Sequence, residues 1–136
     1  MFVRTSVVAL ALLSAGIATG EEVRSVHLQD LQRGQCIEIR TADRYYRVEI
    51  VNRSTGESLV SASWDGVTFT APRTAYVLGS TRGREANTGG LMLVMMHQLR
   101  QGMPMELSVG TLDQKNRRIT APIQSITLGS SALAMN

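Results

Sequence analysis

The sequence predicts an all-β protein, a small antiparallel barrel of about eight or nine short strands, with a two-sheet sandwich as the alternative. Three observations carry this expectation. Apolar residues recur at every second position in short runs; Gly, Asn, Asp and Thr separate the runs; and stretches with helical spacing are nearly absent. The barrel is preferred because several runs are apolar on one side only and the last changes phase, as a bent, closing strand does.

Ahead of the first strand, residues 1–20 have the order of a secretory signal. Arg4 gives a positive start, Val7 to Leu13 form a short apolar core, and small residues precede Glu21 and Glu22. Cleavage fits after Ala18 or after Gly20, and the second is expected. The apolar core is shorter than the about 20 residues a membrane helix needs. No later segment reaches that length, so no membrane span is expected, and the chain is placed outside the cytoplasm, secreted or periplasmic. Residues 21–136 then make one small domain with a core of its own.

The first expected strand is Val23 to Leu28, with Val26 and Leu28 on one face and His27 on the other. Gln35 to Arg40 follows, Ile37 and Ile39 facing in, Cys36, Glu38 and Arg40 facing out. After the turn at 41–44, Tyr45 to Val51 pairs with it, placing Tyr46, Val48 and Ile50 inside and leaving a wet outer face. Residues 52–57 form a polar turn, and Ser58 to Trp64 puts Val60, Ala62 and Trp64 in phase. Asp65-Gly66 is a strong tight-turn dipeptide, so 67–71 is expected to return as a strand carrying Val67 and Phe69, ended by Pro72. Residues 73–80 make another strand, and 81–90 a long Gly-rich loop. Residues 90–96 are apolar on both faces and are expected to be a buried strand, with a turn closing at Gly102. Met105, Leu107 and Val109 alternate inward on the next strand, and 111–117 is a polar loop. Ile119, Ala121 and Ile123 share one phase, Ile126 and Leu128 the other, which predicts a bulge or bend between Pro122 and Ser125. A tail from about residue 130 is expected to fray.

One internal echo stands out. LQRGQCIEIR at 31–40 matches LRQGMPMELS at 99–108 in its Leu, Gly and apolar-Glu-apolar positions. Its physical sense is a short turn that plugs one barrel end with Leu31 or Leu99, followed by a sharp strand start at Gly34 or Gly102.

Chemistry-bearing motifs are few. His27 and His97 have no second ligand at metal or relay spacing, and no nucleophile elbow, zinc helix, calcium loop or phosphate loop is present. The expectation is therefore a non-catalytic extracytoplasmic binding or structural module, with no cofactor and with a protein or glycan as its partner; an enzyme of unidentified class is a further alternative. Cys36 is the only cysteine, so no internal disulfide is available and the core must hold the fold. A cysteine nucleophile would need a lowered pKa, and Arg40, on the same side of the strand, stands two pleats away, so packing is the expected role.

Binding-surface candidates are Tyr45 and Arg47 on the wet strand face, Arg82 and Arg84 in the long loop, and Lys115, Arg117 and Arg118 near the last strand. Arginine for phosphate or carboxylate and aromatics for stacking is the logic of single-strand nucleic-acid binding. An acidic glycan would suit the same groups. The formal charge of +3, lowered to +2 when Arg4 leaves, gives little long-range attraction for polyanions and disfavours nucleic acid. The alternative metal reading is a Cu(I) site in the methionine cluster, from Met92, Met96, Met103 and Met105 with His97, because thioethers and imidazole are soft ligands. Against it, Met103 and Met105 share the face assigned to the core, where methionine commonly fills gaps. Asn52-Arg53-Ser54 matches an N-glycosylation acceptor in a predicted turn.

Overall fold

A computed structural model describes residues 20–84 and 91–131, without the side chains at 83, 84, 91–94, 130 and 131. Residues 1–19 of the expected signal at 1–20, residues 85–90 of the expected loop at 81–90, and residues 132–136 thus lie outside the described residues. The described residues are all-β, with ten strands among them: β1 Glu21–Val23, β2 Ser25–His27, β3 Gln35–Thr41, β4 Tyr45–Asn52, β5 Glu57–Ser63, β6 Arg73–Arg84, β7 Leu91–Met96, β8 Gln98–Arg100, β9 Pro104–Val109 and β10 Arg117–Ser131. Every pairing is antiparallel. No helix among the described residues is long and apolar enough to cross a membrane.

Alternation builds the wall. Ile37 faces Val48 and Ile39 faces Tyr46 across the β3–β4 hairpin, and Val48 faces Val60 across β4–β5. Neighbouring β-branched side chains on one face bury each other, which is the unit of sheet stabilisation. Pairings run β3–β4–β5–β6, continue from β6 to β9 and β9 to β10, and return from β10 to β3. Among the described residues the ring is incomplete beyond Val60 of β5, where β6 no longer pairs, and along the first half of β10. β10 pairs with β9 from Arg117 to Pro122 and with β3 only from Ile123 onward. The register shifts at both points, between Ile119 and Pro122 and between Ile123 and Ser125, so the expected bend near Pro122 is present. The wall is therefore a partly open barrel that also fits the description of two sheets packed face to face.

Inside lie Ile37, Ile39, Tyr46, Val48, Ile50, Met105, Leu107 and Ile123, as the alternation predicts, joined by Val77 and Ile126. Val60 packs half-buried against this cluster, while Val109 and Ile119 are half-buried at one end. The echoed turns close the opposite end. Leu31 and Leu99 are buried, Gly34 and Gly102 take φ of 85° and 92°, and the amide of each glycine donates to a carbonyl of a following strand, Ile50 at 2.7 Å and Ile123 at 2.8 Å. The residue after each glycine also repeats its bond, Gln35 to the Gln32 carbonyl and Met103 to that of Arg100. A positive φ at these corners is what makes glycine necessary there.

Several expectations need correction. The first expected strand is broken at Arg24 into β1 on β10 and β2 on β8, and Leu28–Asp30 form a 3-10 turn. β6 runs on to Arg84, beyond the expected loop start at Thr81, and Gln98–Arg100 form a strand where a turn was expected. β10 continues to Ser131, past the expected start of fraying, because β3 pairs with it as far as that residue. The largest difference concerns 64–72. These residues form no strand, and Trp64 is 70% exposed instead of buried. The segment folds back over the outer face of β4 and β5, where Thr70 donates its amide to the Ala62 carbonyl and its hydroxyl accepts the Ala62 amide. Thr70 thus stands in for a neighbouring strand at one position, and Phe69 lies outside, against Arg47.

Candidate functional site

The end of the barrel opposite the leucine plugs is open. The Leu31 turn lies at the Ile50 end of β4; at the Tyr46 end of β4 a cleft of about 520 Å³ enters the barrel. Its floor comes from inward positions of four strands: Tyr46, Val60, Ala62, Ala75, Leu107 and Val109. Small residues at Ala62 and Ala75 leave space that leucine or isoleucine would fill. Burial pushes the Tyr46 phenol upward in pKa, opposed by the Arg44 guanidinium beside it.

Charge gathers at the rim. Arg44, Arg73 and Arg118 line the mouth together with one carboxylate, Asp43. The two ion pairs among the described residues, Arg47–Glu38 and Arg117–Glu106, involve none of these arginines. Asp43 is held by the β3–β4 turn, where it accepts the Thr41 hydroxyl at 3.0 Å. Arg118 donates to the carbonyls of Lys115 and Arg117, so its side chain is ordered while its charge is left unpaired.

Beside the mouth runs a groove of about 480 Å³ between Trp64 and Phe69, sharing Arg44, Ala62 and Thr70 with the cleft. Arg44 stacks over the Trp64 ring at 4.1 Å and Arg47 over Phe69 at 3.9 Å, cation–π geometry in both cases. Asp65 fixes this shelf. Its carboxylate accepts the amides of Val67 and Thr68 and the hydroxyl of Ser63, at 2.8, 2.9 and 2.9 Å. Those bonds favour the ionised form and lower its pKa to about 2.

The expected binding residues do not form one surface. Tyr45 and Arg47 face outward from β4, Tyr45 beneath Arg40 at 5.4 Å and Arg47 paired to Glu38 at 3.4 Å. Arg82 is exposed toward the far part of β6, and the Arg84 side chain lies outside the described residues. Lys115 is exposed on the 3-10 turn before β10, and Arg117 reaches the fully buried Glu106 at 3.5 Å. Of the seven, Arg118 alone lines the cleft. Arg44, Arg73 and Trp64 were not singled out by the sequence, since no local motif joins positions so far apart.

Methionines of the proposed metal set are spread through different environments. Met105 is fully buried in the core, Met103 is half-buried, and Met96 is 71% exposed. The Met92 side chain lies outside the described residues. His97 has a φ of 56°, and its backbone joins β6 to the 3-10 turn, donating to the Leu78 carbonyl and accepting from the Leu28 amide. No group of three or more His, Cys, Asp or Glu side chains among the described residues could hold a metal.

Cys36 is half-buried on β3, directly across from Glu49. Burial pushes its thiol up, Glu49 adds to that, and Arg47 opposes it. Asn52 is exposed at the end of β4, its side-chain oxygen accepting the Ser54 amide at 3.0 Å.

No family model, curated protein or solved structure matches the chain. Function must therefore be read from the open end itself.

Proposed function

We propose that the chain is a non-catalytic binding module working outside the cytoplasm, and that its ligand is an anion with an apolar portion held in the open-end cleft. One observation carries the reading. Three guanidinium groups without a carboxylate partner surround a cavity whose floor is apolar. An apolar concavity with a few convergent polar groups is the usual form of a ligand site, and guanidinium recognises carboxylate, sulfate or phosphate through its planar fork of donors. The lining supplies groups that bind and orient: arginines, a phenol and two threonines, Thr70 and Thr120. Its one carboxylate, Asp43, is engaged by Thr41. Export rests on Arg4, the apolar stretch from Val7 and the Ala18/Gly20 pair.

Trp64 makes the test direct, because it is the only tryptophan and lines the groove that opens into the cleft. The full chain is titrated with acidic oligosaccharides, fatty acids and acidic peptides while Trp64 emission is followed. A saturable change with at least one anionic class, weakened in Arg73→Gln, is expected. Reproducible turnover of an ester, peptide or glycan, abolished by a single polar substitution, would replace this reading with an enzymatic one.

A further inference from the structure

We propose that the anion taken by the cleft is an extended, acidic polypeptide segment that adds as a strand to the free edge of β10. This rests on the reading of the cleft as the ligand site and narrows its occupant. The supporting geometry is the gap in the barrel wall. Arg118, Ile119, Thr120 and Ala121 are consecutive, and all four line the cleft. A strand turned face-on would present alternate residues only, so the cleft runs along the edge of β10. On its other side this stretch pairs with β9; among the described residues, β3 joins β10 only from Ile123 onward.

The Arg117 carbonyl accepts Arg118 at 2.9 Å. The Thr120 hydroxyl accepts the Met105 amide of β9 at 3.0 Å and donates to the Ala121 carbonyl at 2.7 Å, so it bridges the irregular β9–β10 pairing and leaves the other edge to an incoming chain. Pro122 ends the usable edge, since it has no amide to donate. Four residues of edge span about 13 Å at roughly 3.3 Å each. An unpaired strand edge is a template for another chain, and main-chain bonds then provide affinity while side-chain pockets provide specificity.

Charge selects the segment. Arg118 stands on the edge itself, Arg73 and Arg44 on the facing walls, so an incoming strand meets three cations and one carboxylate, Asp43. Alternate side chains of that strand would turn toward the apolar floor and outward to the arginine rim. An alternating acidic and apolar sequence satisfies both.

The probe is a blocked hexapeptide alternating glutamate with valine, followed on the full chain by Trp64 emission and by amide NMR shifts. Saturable binding that shifts the amides of 118–121, is weakened about three- to fivefold by Arg73→Gln and by Arg118→Gln as expected for exposed ion pairs, and is lost when alternate peptide amides are N-methylated supports the proposal. A lysine-for-glutamate peptide should not bind. Binding of the glutamate peptide that survives N-methylation at either register overturns strand addition. An oligogalacturonate, dodecanoate or an oligonucleotide that saturates the site while the peptide does not would overturn the peptide assignment and leave the cleft as the ligand site. Self-association that protects 118–121 would overturn it in favour of a second copy. If no probe of any class binds, the cleft itself is not the site and both readings fall.

Discussion

Glu106 is the fully buried carboxylate of β9, and both of its oxygens lack a hydrogen-bond partner among the described residues. Its one ion-pair partner among the described residues is Arg117 at 3.5 Å, whose side chain is 36% exposed. Coulomb's law at that separation gives about 5 kcal/mol at an effective dielectric of about 20 and about 1 kcal/mol in water. A pair with one wet partner falls between these limits. Arg117→Ala should therefore destabilise the fold by about 2–3 kcal/mol, because it strands a buried charge, a smaller loss than for a fully buried pair. Glu106→Leu removes the desolvated group and keeps most of the volume. Its expected effect lies between no change and a gain of about 2 kcal/mol. The double variant should match Glu106→Leu within about 0.5 kcal/mol, since Arg117 then has nothing to neutralise. Urea unfolding followed by far-ultraviolet circular dichroism measures all three; Trp64 is too exposed to report global unfolding well. The loss in Arg117→Ala corresponds to a fall in Tm of about 10 °C. Arg117→Ala indistinguishable from the parent, or Glu106→Leu costing more than about 2 kcal/mol, would refute the reasoning.

Four further outcomes are expected. Ile39→Ala, at a fully buried core position, should cost about 2–5 kcal/mol through lost burial and a residual cavity, whereas Trp64→Ala should cost under about 1 kcal/mol; comparable losses in urea unfolding would contradict the placement of Trp64. Asp65 has its pKa lowered in the folded chain, so its contribution to the shelf is complete above the ordinary carboxylate range and is lost as pH falls toward about 2; Trp64 emission should change in that window and lose the transition in Asp65→Asn. His97→Gly should raise stability by about 0.5–1 kcal/mol in the same unfolding assay, since φ of 56° suits glycine better than a side chain with a Cβ, and a loss would show that the imidazole makes contacts worth more than the strain. Cys36, its thiol pushed up by burial, should be alkylated by iodoacetamide more slowly than free cysteine at pH 8, and equal rates would count against the half-buried environment.

The residues themselves determined the secondary structure and most of the core. A strand's side-chain period is two, so Ile37/Ile39, Tyr46/Val48/Ile50 and Met105/Leu107 announce both their strands and their shared faces. Gly34 and Gly102 are legible because a sharp strand start needs a positive φ, and the phase change between Ile123 and Ile126 is legible because a bulge is the local way to reverse a strand's faces. Periodicity fails where a face must be assigned rather than detected. Val67, Phe69 and Ala71 alternate as a strand would, yet Thr70 takes the place of a strand partner on Ala62 and turns the segment over the outside of the barrel, with Trp64 in water.

The candidate site lay beyond the sequence for a related reason. Arg44, Arg73 and Arg118 belong to three different stretches of chain, and their meeting depends on β4, β6 and β10 converging at the open end. The free edge of β10 likewise exists because its partner on that side changes to β3 only after Pro122. Local sequence determined which residues form strands, since backbone sterics and burial act within a few positions. Which strand ends stay open, and which charges gather there, was decided by long-range pairing.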